Sequence, residues 1–241
     1  MLYQKLGIQP SDVVSFIGGG GKTSSIFRIA DELIETHHTV IITTTTKMAL
    51  PTIDDKYQLT IPLTYSHIQE NLNKSYYSFV AHKYNDYKIT GVNDKLLGQL
   101  TSICDVMLIE ADGAYRLPLK IPNDTEPVIP SFCNKLVILL GISAIGQTLE
   151  QSCFRYTQLQ HNFPYNSHDT ITASIMADIA TSHDGLLKNT QGLTPIYIIN
   201  QVETATQLHA ARIVANLIKA RCNSTVLITA VQNRLQDIFI I

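Results

Sequence analysis

Short apolar runs alternate along the chain with longer segments in which apolar residues recur every three or four positions. The run at 13–17 (VVSFI) predicts a buried strand. Helical spacing follows it at Ile26, Ile29, Ala30, Leu33 and Ile34. The same reasoning predicts strands at 40–43, 105–110, 136–140, 195–199 and 225–229, and helices near 168–180 and 203–220. Strands that alternate with helices form a parallel sheet covered on both faces, so the pattern predicts an α/β fold with a mostly parallel central sheet.

Two segments interrupt this alternation. Residues 51–100 are polar and rich in tyrosine, and for them we predict a hairpin of strands 76–81 and 86–90 around Tyr84-Asn85-Asp86, then a helix at 93–101. Residues 115–130 contain four prolines, which exclude a regular helix or a central strand. The chain shows no internal repeat and no low-complexity linker. We therefore treat residues 1–241 as one domain with a variable segment at about 51–100.

Composition narrows the classes of function. The net charge of −2 gives no basic surface for nucleic acid. The longest apolar runs are too short to cross a bilayer, and the N-terminus lacks the apolar core of a signal peptide. The four cysteines are widely spaced, unlike those of a disulfide framework or a zinc site. We therefore expect a cytoplasmic protein whose partners include neither nucleic acid nor a membrane.

Four consecutive glycines lie between the first predicted strand and the first predicted helix. Glycine lets backbone N–H groups approach a phosphate closely, and the N-terminus of the following helix attracts the same anion. Lys22 would reach the outer phosphates, and the Thr23 hydroxyl would bind Mg²⁺. The pattern GxxxxGK(S/T) is incomplete, because Phe16 occupies its first glycine position. The context still predicts a three-layer P-loop NTPase-like fold that binds ATP or GTP with Mg²⁺ through Gly18, Gly19, Gly20, Gly21, Lys22, Thr23 and Ser24.

A second motif, which is acidic, follows the apolar strand at 106–109. Glu110 ends this strand, and either Glu110 or Asp112 fits the role of the acid that holds Mg²⁺ together with Thr23; we favour Glu110. Asp112 would orient water or contact a substrate, so that Lys22, Glu110 and Asp112 form the predicted catalytic set. The N–H group of Gly113 is placed to bind a γ-phosphate, as in loops that become ordered on triphosphate binding.

Two further motifs follow predicted strands. Thr45, Thr46 and Lys47 lie where open α/β sheets bind ligands, and would contact metal-bound water, phosphate or a second substrate. The alternative is that these threonines simply favour a strand. Asn200 and Glu203 lie where a GTPase has NKxD, so we predict that they contact the nucleotide base. The Asp-to-Glu change in this motif leaves the identity of the base open.

Together these motifs resemble one family, the selenium-dependent molybdenum hydroxylase accessory proteins, also called the selenium cofactor biosynthesis protein YqeC family. The resemblance covers most of the chain, and 51–100 contributes little to it. Its specific part is the set EADGA…PLK.P…EPVIP. The matching segments are FIGGGGKTS (16–24), TTTTKM (43–48), IEADGAYRLPLKIPNDTEPVIP (109–130), GISAIGQTL (141–149), SHDGLLKN (182–189) and IINQVE (198–203).

The resemblance implies a P-loop NTPase that acts in maturation of a molybdenum hydroxylase or of its selenium-containing cofactor. The implied partners are a molybdopterin-type or selenium-cofactor intermediate and the hydroxylase itself. Arg116 and Lys120 would hold an anionic substrate such as a molybdopterin-type phosphate, and Glu126 would orient one of the two cations; alternatively, these are charges of a solvated loop. His183 and Lys188 border the same cleft, or, alternatively, Gly185 terminates a helix and His183 is exposed.

Three activities fit these motifs. The first is hydrolysis of ATP or GTP, or phosphoryl or nucleotidyl transfer, with catalysis by positioning and electrostatics. The second is a nucleotide-dependent switch or chaperone with slow hydrolysis. The third is a small-molecule kinase, which the absence of an arginine-rich lid segment disfavours.

Overall fold

The computed structural model describes residues 1–50, 57–158, 163–190, 192–232 and 239–241. The strands are β1 (Asp12–Gly18), β2 (Val40–Thr44), β3 (Met48–Ala49), β4 (Tyr77–Val80), β5 (His82–Asn85), β6 (Lys88–Thr90), β7 (Val106–Glu110), β8 (Leu119–Lys120), β9 (Lys135–Gly141), β10 (Cys153–Phe154), β11 (Pro195–Asn200), β12 (Val226–Ile228) and β13 (Phe239–Ile240). The α-helices are α1 (Leu2–Lys5), α2 (Lys22–Glu35), α3 (Tyr65–Ser75), α4 (Asp94–Leu100), α5 (Leu149–Ser152), α6 (Ala173–Thr181) and α7 (Ala205–Arg221). Short 3₁₀ turns cover Ile142–Ala144 and Tyr156–Gln158.

Eight strands form one sheet in the order β13-β12-β11-β9-β1-β7-β2-β4. All neighbours in this sheet are parallel except β12 and β13. The predicted α/β fold with a mostly parallel central sheet is therefore confirmed. Because β1 lies between β7 and β9, the loop that follows β1 opens at the same sheet edge as Glu110, where parallel strands place their ligand sites.

The sheet separates two apolar cores, because successive side chains of a strand point to opposite faces. On β1, Val14 and Phe16 pack in the core that α1 and α2 cover. Val13 and Ile17 pack in the other core, which includes buried residues of α3, α4, α6 and α7. The molecule thus has three layers, as in P-loop NTPase-like proteins. Within the described part of the chain, none of the helices combines the length and the apolarity that crossing a bilayer requires.

The predicted hairpin is wrong in its first strand. The stretch 76–81 contributes β4, which joins the large sheet parallel to β2. The strand that pairs with β6 is β5, antiparallel and with an irregular register between Lys83 and Asn85. The reason is burial: residues 78–80 are buried, whereas β5 is exposed along its length.

Other elements differ in extent from the prediction. The predicted helix at 168–180 begins only at Ala173, because the Thr172 hydroxyl caps it by accepting the Ile175 N–H. Helix α3 was not predicted, since its apolar face is small and Ile68 and Leu72 are its buried residues. The first residues of the variable segment, 51–56, lie outside the described residues.

The proline-rich segment lies against the loop that follows β1. Its strand β8 pairs in parallel with β10. Its Leu117 carbonyl accepts the Gly20 N–H at 3.1 Å, and its Val128 N–H donates to the Ala111 carbonyl at 3.0 Å. The segment is therefore fixed at both ends to the sheet edge where the candidate site lies.

Candidate functional site

The glycine loop connects β1 to α2 through a backbone path that side chains would block. Gly18 has φ +93°, and a Cβ there would lie 2.3 Å from the Leu139 oxygen. Gly20 has φ +83°, and a Cβ there would lie 2.4 Å from the Gly141 Cα. Both the conformation and the space therefore require glycine at these two positions.

The departure at Phe16 has a structural explanation. Phe16 is a strand residue with no exposed surface, and its backbone pairs in register with Glu110. Its side chain belongs to the core beneath α2. The bend with positive φ begins two residues later at Gly18, so position 16 has no need of glycine.

The N-terminus of α2 presents donors to this loop. The first helical hydrogen bond runs from the Ser25 N–H to the Gly21 carbonyl, at 2.9 Å. Among the described residues, the N–H groups of residues 21–24 have no backbone or side-chain acceptor. Free N–H groups at a helix N-terminus, together with the helix dipole, form an anion site.

Lys22 is buried beside this N-terminus. Its ammonium donates to the Gly18 carbonyl at 2.6 Å and lies 3.1 Å from Asp112 Oδ1. Burial works against the charged form, but the attraction of Asp112 and Glu110 outweighs it, so the pKa of Lys22 is raised above its ordinary value. Lys22 is therefore a cation throughout the neutral pH range.

Asp112 lies between two lysines. Its Oδ2 accepts the Gly18 N–H at 3.0 Å and lies 3.1 Å from the Lys120 ammonium. Its Oδ1 accepts no well-directed hydrogen bond from a described residue, so its contact with Lys22 is electrostatic. The carboxylate, only 1% exposed, thus connects the glycine loop to the proline-rich segment.

Lys120 continues the charge cluster. It is fully buried, and its ammonium donates to Glu126 Oε2 at 2.6 Å and to the Gly113 carbonyl at 2.7 Å. Arg155 in turn pairs with the carboxylate of Glu126. Three cations and two carboxylates therefore form one continuous network from Lys22 to Arg155.

Thr23, in the first turn of α2, lies against Glu110 at the end of β7. The Thr23 hydroxyl donates to Glu110 Oε2 at 2.7 Å. Burial raises the pKa of Glu110, and the nearby Lys22 only partly offsets this. A hydroxyl and a carboxylate oxygen are hard donors of the type that Mg²⁺ takes, usually with phosphate and water as its other ligands. Among the described residues there is no group of three or more His, Cys, Asp or Glu side chains placed to hold a metal ion.

The threonine run lies at the same edge. The Thr44 hydroxyl donates to the Glu110 carbonyl at 2.8 Å, and that of Thr45 to the Val128 carbonyl at 2.7 Å. The Thr46 hydroxyl is buried and has no partner among the described residues. Lys47 is exposed, with its ammonium 4.0 Å from the centre of the Tyr84 ring. Thr45 thus holds the proline-rich segment, while Thr46 retains a free hydroxyl.

A cavity of about 270 Å³ adjoins the other side of the loop. Its wall includes Gly21, Ser24, Asn200 and Glu203, which the sequence had placed together around a nucleotide. Asn200 is buried: its Nδ2 donates to the Gly20 carbonyl at 2.7 Å, and its Oδ1 accepts the Val231 N–H at 2.8 Å. Asn200 therefore fixes the wall of the cavity, and Glu203 is exposed at it.

Arg116 and Gly113 lie on the proline-rich side. Arg116 is exposed, and no described carboxylate lies within ion-pair distance of it. A Cβ on Gly113 would meet nothing closer than the Lys47 carbonyl at 4.0 Å. Space alone therefore does not require glycine at position 113, and its contact with a γ-phosphate stays a prediction.

Comparison with known proteins matches this arrangement to one family. The model of the YqeC protein family covers residues 14–157, which is more than half of the chain. The chain belongs to the YqeC family. It is also 31% identical over 195 residues to a protein of Escherichia coli (strain K12) described as uncharacterized protein YqeC, covering 78% of this chain and 75% of that protein.

The YqeC match includes most of the polar site. Its span of 14–157 contains the glycine loop, Glu110, Asp112 and the whole proline-rich segment. Asn200 and Glu203 lie beyond it. In this YqeC chain the phosphate side of the candidate site is therefore the part that the family model covers.

Two contributors were not predicted from the sequence. Arg155 reaches Glu126 across 29 positions, and no local motif marks it. Asn189 donates to the Asp124 and Glu126 carbonyls at 3.3 and 3.1 Å, next to a Lys188–Asp124 ion pair of 2.6 Å. Asn189 ends the segment SHDGLLKN, which belongs to the family resemblance, so this segment could have pointed to the Asn189 contact. Lys188 therefore holds the proline-rich segment, while His183 is exposed.

Proposed function

We propose that this chain is a Mg²⁺-dependent nucleoside-triphosphate-binding protein that hydrolyses ATP or GTP. The observation that carries the proposal is the glycine loop, in which the N–H groups of residues 21–24 have no acceptor among the described residues beside a buried, charged Lys22. A triphosphate would supply the acceptors that these donors lack. The adjoining cavity of about 270 Å³ would take the base.

Each residue of the site has a defined task under this proposal. Lys22 and the N–H groups of residues 21–24 bind the β- and γ-phosphates and stabilise the charge that develops on them. Thr23 and Glu110 hold Mg²⁺, which when bound neutralises phosphate charge. Asp112 holds Lys22 and accepts the Gly18 N–H, so we assign it a positioning role and not the orientation of the attacking water.

We further propose that the nucleotide reaction serves maturation of a molybdenum hydroxylase or its selenium-containing cofactor. This rests on the resemblance to the accessory-protein family. The test is a strain that lacks the gene for this chain and expresses such a hydroxylase. Wild-type chain should restore hydroxylase activity, whereas Lys22→Ala should not; equal restoration by both would refute a nucleotide-dependent role.

The nucleotide proposal is tested by titration calorimetry of the full chain with ATP, GTP and CTP in the presence of Mg²⁺. Wild-type protein should bind one triphosphate, and Lys22→Ala should lose that binding while its thermal unfolding stays cooperative. Omission of Mg²⁺ should weaken binding of the same nucleotide. If none of the three triphosphates binds, the proposal is wrong.

A second candidate, a nucleotide-dependent switch, is favoured by one specific contact. Asp112 joins Lys22 of the glycine loop to Lys120 of the proline-rich segment. A phosphate that attracts Lys22 would weaken its pair with Asp112. The conformation of the proline-rich segment, which Asp112 also holds through Lys120, would then depend on whether a triphosphate is bound. The switch requires that binding of an apo-hydroxylase depend on the triphosphate; a pull-down unaffected by nucleotide would argue against it.

A further inference from the structure

We propose that Arg116 is a catalytic residue of this site and that its guanidinium binds the terminal phosphate of the nucleotide during hydrolysis. The inference rests on the proposed nucleotide binding and extends it. The sequence alone had assigned Arg116 to a separate anionic substrate. Charge balance, position and backbone conformation point to the nucleotide itself.

The first argument is charge balance. Lys22 and Lys120 contact the Asp112 carboxylate, and Arg155 pairs with Glu126. With Glu110 included in its ionised form, three carboxylates face three cations, so these six side chains together bring no net positive charge. A magnesium–triphosphate complex is negative, and its transition state places charge on the terminal phosphoryl oxygens. The site therefore needs a cation that no carboxylate already neutralises.

Arg116 is such a cation. No described carboxylate lies within ion-pair distance of its guanidinium, and its side chain is exposed. The nearby Lys47 has no described carboxylate partner either, but it lies over the Tyr84 ring. Arginine also presents a planar fork of N–H donors that matches phosphoryl oxygens, which an ammonium does not.

The second argument is position. Arg116 precedes Leu117, whose carbonyl accepts the Gly20 N–H at 3.1 Å. The next carbonyl, that of Pro118, accepts the Gly141 N–H at 2.8 Å. Gly19 is packed so closely that a Cβ would lie 2.7 Å from the Leu117 oxygen. The backbone that carries Arg116 is therefore fixed directly to the loop that would surround the phosphates.

The third argument is backbone conformation. The Leu117 N–H donates to the Ala114 carbonyl at 2.9 Å, which closes a turn with Tyr115 and Arg116 at its centre. Both have positive φ, +50° and +63°, the pattern of a type I′ turn. Asn and Gly are the residues that such turns favour, because other side chains are strained there. Strained backbone of this kind concentrates at functional sites.

The chemical step needs no further reactant. Water attacks the terminal phosphorus, the bond from that phosphorus to the bridging oxygen breaks, and the diphosphate leaves with the bond electrons. The proton of the attacking water ends on the released phosphate or in solvent. Arg116 donates hydrogen bonds to the phosphoryl oxygens throughout and transfers no proton.

The experiment compares Arg116→Ala, Arg116→Lys and Arg116→Gly in the full chain. For each variant we would measure the Kd of the preferred triphosphate by calorimetry, kcat by phosphate release, and Tm. We expect Arg116→Ala to lower kcat about a thousand-fold with a much smaller change in Kd. Arg116→Lys should recover only part of kcat, because it keeps the charge without the fork.

Arg116→Gly separates catalysis from folding. Glycine tolerates the positive φ of this turn, so its Tm should not fall below that of wild type, whereas its kcat should match that of Arg116→Ala. Tyr115→Ala is the matched control: it alters the same strained turn without removing a cation, and should keep kcat within a few-fold of wild type.

The outcomes distinguish this inference from the proposed function. If wild-type protein binds no triphosphate or does not hydrolyse it, the proposed NTPase activity fails and the catalytic role of Arg116 fails with it. If wild-type protein hydrolyses the nucleotide and Arg116→Ala keeps its kcat, the activity stands and the role of Arg116 is refuted. An equal loss of kcat in Tyr115→Ala would show that the turn acts through its shape, which also refutes the role.

Discussion

The Lys22 ammonium lies 3.1 Å from the Asp112 carboxylate in the interior of the protein. Asp112 holds the second buried lysine, Lys120, at the same distance. One carboxylate therefore contacts two buried cations from two different segments of the chain, and Lys120 also pairs with Glu126. Because a buried charge without a partner is costly, this contact makes the glycine loop and the proline-rich segment depend on each other.

Asp112→Asn tests this dependence. The amide keeps the shape of the side chain and can still accept the Gly18 N–H, but it leaves two buried ammonium groups without their shared carboxylate. We expect the free energy of unfolding to fall by about 3 kcal/mol. Urea denaturation followed by circular dichroism measures this. The control is Asp124→Asn, which removes an exposed carboxylate paired with Lys188 and should leave the denaturation midpoint in place.

Glu110→Gln should make the apoprotein more stable at neutral pH. Burial raises the pKa of Glu110, so the folded protein holds the proton more tightly than the unfolded chain. The free energy of unfolding of the wild type therefore falls as pH rises from the ordinary carboxyl pKa to the raised one. The glutamine variant lacks this loss, and its advantage over wild type should appear in Tm at neutral pH and vanish in acid.

The same variant should lose the Mg²⁺ dependence of nucleotide binding, since the neutral amide is a poorer Mg²⁺ ligand than a carboxylate. In the wild type, the effect of Mg²⁺ on Kd should weaken as pH falls towards the raised pKa of Glu110. Calorimetry with and without Mg²⁺ across this pH range measures both effects. If nucleotide binding by Glu110→Gln depends on Mg²⁺ as it does in the wild type, Glu110 is not a ligand of the metal.

Gly20→Ala and Gly146→Ala form a matched pair. Both positions have positive φ, +83° and +86°, so each alanine should cost about 1–2 kcal/mol of stability. At Gly146 nothing lies within 4 Å of the new Cβ, whereas at Gly20 it would meet the Gly141 Cα at 2.4 Å. Gly20→Ala should therefore cost about 1–3 kcal/mol more and abolish nucleotide binding. If both variants lose the same amount of stability in thermal denaturation, the backbone around Gly20 can shift to make room for the new Cβ.

Asn200→Ala should disconnect the loop from the cavity wall. It removes the hydrogen bonds to the Gly20 carbonyl and from the Val231 N–H, and we expect a loss of about 1–3 kcal/mol in the free energy of unfolding. Asn200→Asp keeps the acceptor for Val231 but places an oxygen opposite the Gly20 carbonyl. Both variants should raise the Kd of the nucleotide. An unchanged Kd in both would show that the cavity wall formed by Asn200 does not contribute to nucleotide binding.

Much of the architecture could be predicted because it depends on local order. The predicted strand at 136–140 is observed as Lys135–Gly141, and the helix at 203–220 as Ala205–Arg221. Buried strands and amphipathic helices impose periods of two and 3.6 residues on the positions of apolar side chains, and these periods can be seen without any long-range contact. The order of the strands depends on such contacts, and so did the mistaken pairing of 76–81 with 86–90.

The sequence by itself determined which chemical groups follow the first strand: four glycines, Lys22 and Thr23, placed where a helix begins. These groups are neighbours in the sequence, so the local geometry of the strand, loop and helix is enough to bring them together. Only the tertiary structure decided that Lys120, which looks solvated in a proline-rich segment, is buried between Asp112 and Glu126. It also decided that Arg155 neutralises Glu126 while Arg116 does not. Lys120 pairs with residues only a few positions away, but its burial, the Lys22–Asp112 pair and the Arg155–Glu126 pair join distant parts of the chain, which meet only when the sheet and its loops assemble.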